Sequence, residues 1–205
     1  MSLKYRKYNS YEEYVEHQKK KLPFFIRWLS ERGGGSRTRY KNFKIRLQPL
    51  VSIIKGKKVL CLGARTGEEV KAFRKLGFTE TVGIDLNPGS GNKYVVRGDF
   101  HNLSYQDGSF DGVYSNAFDH AWDLKVVSTE VYRVLKPGGI LAIDLSLFLG
   151  IDRDEHLWKN SYEAVLWDSV DDVVQEFREF DEVDRLPHPG HVCVILRSKK
   201  DIGTQ

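Results

Sequence analysis

The sequence predicts an α/β domain, a mostly parallel sheet with helices on both faces, preceded by a basic helical extension. Three observations lead there. From Lys57 onward, short apolar strands alternate with helical stretches, the pattern of successive strand–helix–strand units. The strand segments are continuous apolar runs such as Val59-Leu60-Cys61-Leu62, as expected when both faces of a sheet are covered. Charge divides the chain: residues 1–58 hold 16 Lys+Arg against 4 Asp+Glu, a net +12, while residues 59–205 hold 16 against 24, a net −8. The expected division is 1–56 as extension and 57–205 as domain.

A chain of 205 residues buries enough surface to need no disulfide or metal staple. With 40% hydrophobic and 29% charged residues it is neither a disordered tail, a collagen-like fibre nor a disulfide-rich module. Cys61 and Cys193 each sit in an apolar run and read as buried thiols of a reducing compartment. The longest apolar stretch, Gly139 to Gly150, is broken by Asp144, and the N-terminus has no apolar signal core. The expectation is a soluble cytoplasmic protein without a membrane partner.

The extension opens with a helix from Tyr11, where Tyr11, Tyr14, Val15 and Leu22 form one stripe, capped by Asn9 or Ser10. Pro23 restricts it, FFIRWLSER adds a short apolar piece, and Gly33-Gly34-Gly35-Ser36 reads as a flexible break. In the domain, KKVLCLG is the first strand and Gly67–Leu76 a helix with Val70, Phe73 and Leu76 on one side. TVGIDL, KYVVRGD and FDGVYSN are the next three strands. A helix over Asp123–Leu135 is stopped by Lys136-Pro137-Gly138-Gly139, and ILAIDLSLFL is the fifth strand. A helix over Ser169–Phe177 and the pair DEVDRL and HVCVILRS complete seven strands.

The chemistry gathers at strand ends. GARTG, residues 63–67, joins the first strand to its helix, a turn that lets a ligand approach backbone amides closely. It lacks the Gly-Lys-Ser/Thr ending of a phosphate loop. Asp85 ends the second strand about twenty residues later, the place for an acid that binds both ribose hydroxyls; otherwise it caps the loop before Asn87-Pro88-Gly89. Asp99-Phe100, after the third strand, suits an adenine, with an acceptor for the exocyclic amine and a flat packing face.

In order and spacing, VLCLGARTG, GIDLNPG, GDFHNLSYQDGSFDGVYSN and VLKPGGILAIDL resemble the class I S-adenosylmethionine-dependent methyltransferases, in particular their small-molecule, type 11-like branch. The resemblance covers about Lys57 to Leu147 and more loosely reaches Arg197. It implies a Rossmann-like, doubly wound, mostly parallel seven-stranded sheet with an antiparallel last strand. By the same resemblance Gly63, Ala64, Arg65, Thr66 and Gly67 line the methionine part of S-adenosylmethionine. Asp85 takes the ribose, Asp99 and Phe100 the adenine, Asn116 closes over the sulfonium, and Leu86 is a further cofactor-binding residue. Two positions depart from the family: Cys61 stands where an acid is frequent and Arg65 where a glycine is. A guanidinium at Arg65 suits the cofactor carboxylate, or it crowds the loop.

Methyl transfer is an in-line displacement, so most catalysis is positioning, with a base needed for an oxygen nucleophile. SNAFDHAWD, after the fourth strand, places Asp119 and His120 on the substrate side; His120 is the candidate base and Asp119 its orienter. The bland alternative is that Asp119 or Asp123 caps the next helix while His120 packs on Trp122. His101 reads as structural, and His188 and His191 lack acidic or cysteine partners, so no metal is expected.

The extension mixes cations with Tyr5, Tyr8, Tyr11, Tyr14, Phe24, Phe25, Trp28, Tyr40 and Phe43. That composition binds nucleic acid, or buries its aromatics against the domain while its lysines stay solvated. In the family such segments form a lid over the acceptor, and Arg37, Arg39, Lys41, Lys44 and Arg46 are placed to meet an anionic small molecule or saccharide. The first expectation is a methyltransferase acting on an oxygen or nitrogen of a small-molecule or glycan-type acceptor. An RNA methyltransferase and a non-catalytic binding protein of the same fold are the alternatives.

Overall fold

The structure, a computed structural model, describes residues 3–23, 35–147 and 161–201. It begins with β1 (Lys4–Tyr5) and α1 (Tyr11–Lys19), then α2 (Gly35–Leu47) and α3 (Leu50–Ile53). β2 (Val59–Leu62), α4 (Glu68–Lys75), β3 (Val82–Asp85), β4 (Val95–Arg97) and β5 (Phe110–Ser115) follow. A 3-10 turn (Phe118–His120) leads to α5 (Leu124–Val134), β6 (Leu135–Ser146) and β7 (Val165–Leu166). α6 (Val170–Val174), β8 (Phe180–His188) and β9 (His191–Ser198) end the described chain.

Seven strands form one sheet in the order β4-β3-β2-β5-β6-β9-β8. The five strands from β4 to β6 are parallel, and β9 runs antiparallel between β6 and β8. The chain winds outward from β2 to β4 and then returns to β5, so its direction reverses between β2 and β5. Ligands of such sheets bind beyond the strand carboxyl ends at that reversal. β2 is buried at all four residues because apolar layers cover both faces. On one side Phe43 and Leu47 of α2 and Val70 and Phe73 of α4 pack on Tyr114, Ile140 and Ala142. On the other, Val127, Val131 and Val134 of α5, with Phe177, pack on Leu60, Val113 and Ile143.

Local chemistry sets the helix ends. Ser10 caps α1, its hydroxyl accepting from the Glu13 amide at 3.3 Å. Asp123 caps α5 by accepting from the Lys125 and Val126 amides, so the cap belongs to Asp123 and not to Asp119. Ser169 and Asp172 form a capping box on α6.

Two expectations are corrected. Gly35 and Ser36 open α2 instead of extending a flexible break; the helix is held by tertiary contacts, with Phe43 and Leu47 buried and Arg46 paired with Asp144 of β6. The Lys136-to-Gly139 stretch does not separate α5 from its strand. β6 starts at Leu135, opposite Phe110, and the register shifts before Gly112 meets Ile140, with Gly138 at φ +66° absorbing the extra residues as a bulge. The apolar piece FFIRWLSER and the last residues of the fifth predicted strand lie outside the described residues.

The extension is stitched to the body. β1 pairs antiparallel with β7, and Tyr8, Tyr11 and Tyr14 surround Trp122 at 5.5–5.8 Å between ring centroids.

Candidate active site

Beyond the carboxyl ends of β2, β3 and β4 lies a crevice closed on its outer side by α1. Its floor is the turn after β2. Gly63 has φ +67°, and a Cβ there would stand 2.6 Å from the Ala117 Cβ, so only glycine leaves the cradle open. Arg65, at φ +43°, is a non-glycine residue in the left-handed region, which costs about 1 kcal/mol. Its amide donates to Asp85 Oδ2 at 3.1 Å, and its carbonyl accepts from Asn92 Nδ2 at 3.0 Å. The Asn87 amide donates to Asp85 Oδ1 at 2.8 Å. Two backbone donors thus fix the Asp85 carboxylate and leave its remaining lone pairs toward the crevice. Ala64 and Gly67 shape the turn behind, and the Thr66 hydroxyl is turned to Glu68.

At the other end Asp99 is held by a network. The Tyr11 hydroxyl donates to Asp99 Oδ2 at 2.5 Å, and the amide and Nδ1 of His101 lie 2.9 and 3.0 Å from Oδ1. The Trp122 amide donates to His101 Nε2 at 3.0 Å, which puts the ring proton on Nδ1, aimed at Asp99. Burial works against the Asp99 charge, but the hydrogen bonds from His101 and Tyr11 prevail and hold its carboxyl below the usual range. Phe100 is buried beside His101 and Phe118.

The third group lies on the acceptor side, where Asn116 follows the β5 end and the 3-10 turn carries Asp119 and His120. His120 Nδ1 donates to the Tyr162 carbonyl at 2.9 Å, leaving Nε2 as acceptor. Nε2 faces Lys21 Nζ and lies 3.3 Å from Asp119 Oδ2. The orienter of His120 is therefore the Tyr162 carbonyl, with Asp119 on the opposite side of the ring. Burial, then Lys21 and Arg65, push the His120 pKa well down, so the ring stays neutral. Burial and Arg65 lower Lys21 to about 7, and burial raises Asp119 to about 6 against the pull of Lys21.

The crevice thus brings together Gly63, Arg65, Asp85, Leu86, Asp99, Phe100 and His120 of the predicted residues. Sequence reasoning missed Tyr11, Tyr14, Gln18 and Lys21. Their spacing of three and four along α1 and its continuation was the available signal, but it read as core stripe or solvated lysine run.

The methyltransferase-domain family matches residues 60–143, the segment that supplies the Gly63 turn, Asp85 and Asp99. Over that segment the chain is similar to the class I S-adenosylmethionine-dependent methyltransferases. Among curated relatives of the chain, the sterol 24-C-methyltransferase of Yarrowia lipolytica is 29% identical over 183 residues, 80% of this chain and 42% of the relative. The chain spans less than half the length of the curated relatives it matches. Two solved structures share the fold at 16% identity. One, solved with the Haloferax volcanii Trm112 methyltransferase activator, has TM-score 0.71 over 91% of this chain and 100% of that one. The Burkholderia thailandensis 1,6-didemethyltoxoflavin-N1-methyltransferase, with bound S-adenosylhomocysteine, has TM-score 0.69 over 95% and 93%. S-adenosylmethionine is the cofactor of this family, and the donor set fits it: Asp85 for ribose hydroxyls, Asp99 for the adenine amine, and the Gly63 cradle for close backbone approach.

Proposed function

We propose that this methyltransferase acts on an oxygen or nitrogen of a small-molecule or glycan-type acceptor, with residues 1–56 as the lid. The observation that carries the reading is the crevice itself: Asp85 and Asp99, presented by successive strand ends, share one cavity with the Gly63 turn under a helix of the extension. The cofactor supplies an electrophilic methyl on a sulfonium, displaced in line by the acceptor. The chain's own part is positioning, exclusion of water by α1, and a proton acceptor, for which His120 Nε2 is the candidate, with Asp119 beside it. The Arg65 guanidinium stands near the carboxylates of Asp85, Glu69 and Asp119.

Two features favour a small acceptor over RNA. Tyr8, Tyr11 and Tyr14 are spent on Trp122 and Asp99, and Phe43 is in the core, so these aromatics offer no stacking platform. Arg46 is paired with Asp144, and Arg39 lies 4.0 Å from Glu68, which leaves Arg37, Lys41 and Lys44 as the exposed cations of α2 for an anionic acceptor. No helix among the described residues is long and apolar enough to cross a membrane. Cys61 and Cys193 are free, buried thiols pushed up by burial, in keeping with a reducing cytoplasmic setting.

Calorimetry with S-adenosylmethionine, on wild type and Asp85→Ala, tests the cofactor part. Binding that is indifferent to Asp85→Ala would refute it. Labelled-methyl transfer into fractionated RNA, protein, lipid and saccharide pools identifies the acceptor. Label confined to RNA, lost on deleting residues 1–56, favours the RNA reading; binding without transfer into any pool favours the non-catalytic one. Turnover of His120→Ala that is unchanged at saturating acceptor removes the base assignment.

A further inference from the structure

One face of the extension spans the crevice from end to end. Tyr11, Tyr14, Gln18 and Lys21 follow it at spacings of three and four, and ten helical residues cover about 15 Å. Tyr11 is bonded to Asp99 at the adenine end. Lys21 reaches the other end, where its charged neighbours are Arg65, Asp119, Glu163 and Asp85 and its contact is His120 Nε2. Lys21, which lines the crevice, and Asp119, 3.3 Å from the same His120 Nε2, therefore place opposite, half-buried charges around that nitrogen near the Gly63 turn.

Opposite charges drawn partly out of water contribute little stability by themselves, because desolvation offsets most of their attraction. The two charges are instead complementary to a ligand that carries a carboxylate and an ammonium on one carbon. We infer that Lys21 and Asp119 form a clamp for the zwitterionic amino-acid arm of the cofactor, Lys21 taking the α-carboxylate and Asp119 the α-ammonium. The inference rests on the crevice being the cofactor site. Two ion pairs form with the arm, and the net charge of the site does not change. The Arg65 guanidinium already stands among Asp85, Glu69 and Asp119, so Lys21, with three rotatable donors on a flexible stem, is the cation best able to turn to an incoming carboxylate. Its turn also releases His120 Nε2, while the Tyr162 carbonyl keeps the ring in place. Burial lowers Lys21 to about 7 and raises Asp119 to about 6, and both charges are strengthened when the arm arrives.

Two nucleosides separate the clamp from the rest of the crevice. S-adenosylhomocysteine carries the amino-acid arm; 5′-methylthioadenosine has the same adenosine and sulfur without it. Calorimetry on the full chain is expected to show Lys21→Met weakening S-adenosylhomocysteine by about 10- to 100-fold. Methylthioadenosine should stay within about twofold. Lys21→Arg, which keeps the cation, should retain the preference for the arm. Asp119→Asn, nearly the same shape, tests the ammonium half with the same ligands and an independent fold. Equal affinity of wild type and Lys21→Met for S-adenosylhomocysteine would overturn the clamp. So would a parallel loss of both nucleosides, since Lys21 would then only seat the helix. Wild type that binds neither nucleoside overturns the cofactor reading and the clamp with it.

Discussion

Replacing Arg46 by Met tests whether the extension is part of the domain's core. Arg46 lies at the end of α2 and pairs with Asp144, whose side chain is 1% exposed near the end of β6. Asp144 otherwise accepts one hydrogen bond, from the Tyr114 hydroxyl at 3.1 Å, with His191 Nδ1 at 3.8 Å from its second oxygen. Without the guanidinium, a buried carboxylate is left with one neutral donor. Removing one partner of a buried pair costs about 3–5 kcal/mol, and the 25% exposure of Arg46 places this case at about 3. Urea unfolding at pH 7, followed by circular dichroism, reads the difference directly. The double variant Arg46→Met/Asp144→Asn no longer buries a charge and should recover most of the loss. A loss below about 1 kcal/mol, or a double variant no better than the single, would refute the reasoning.

Gly63→Ala meets both a left-handed backbone and the Ala117 Cβ, and should lose about 2–4 kcal/mol. Gly91→Ala, at nearly the same φ but with open space around it, should lose only about 1 kcal/mol; calorimetric melting of the two separates backbone from packing. Tyr11→Phe removes a donor to Asp99. Because the folded Asp99 pKa lies below the unfolded 3.8, its contribution is present above that value and lost as pH falls through the folded one. The variant should therefore unfold at a higher pH in an acid titration, and an unmoved midpoint counts against the network. Affinity for S-adenosylhomocysteine should peak between pH 6 and 7, falling below as Asp119 is protonated and above as Lys21 loses its proton. A profile flat from pH 5 to 9, measured by calorimetry, speaks against those assignments.

The parallel core was legible because its physics is local: continuous apolar runs mark strands covered on both faces, and strand ends carry Asp85 and Asp99. The α2 helix was not. Its sequence, GSRTRYKNFKIRL, has no clear apolar stripe, and its stability comes from distant partners such as Asp144 and Glu68. Lys21 was hidden for another reason. It closes the run Lys19-Lys20-Lys21, three identical side chains of which the helical phase sends one into the crevice. The orienter of His120 was equally out of reach, since a main-chain carbonyl carries no sequence signature.

The short pairing of β1 with β7 makes α1 a strap pinned at its leading end, so its motion cannot be independent of residues 161–166. The Arg6 amide donates to the Ala164 carbonyl at 2.7 Å, the Ala164 amide to the Asp119 carbonyl at 2.7 Å, and Gln18 to the Tyr162 carbonyl at 2.8 Å. These bonds form a mechanical linkage between the strap and the turn that bears His120. Amide hydrogen exchange at Arg6 and Ala164 should accordingly slow together when the crevice fills, reporting its occupancy from a distance.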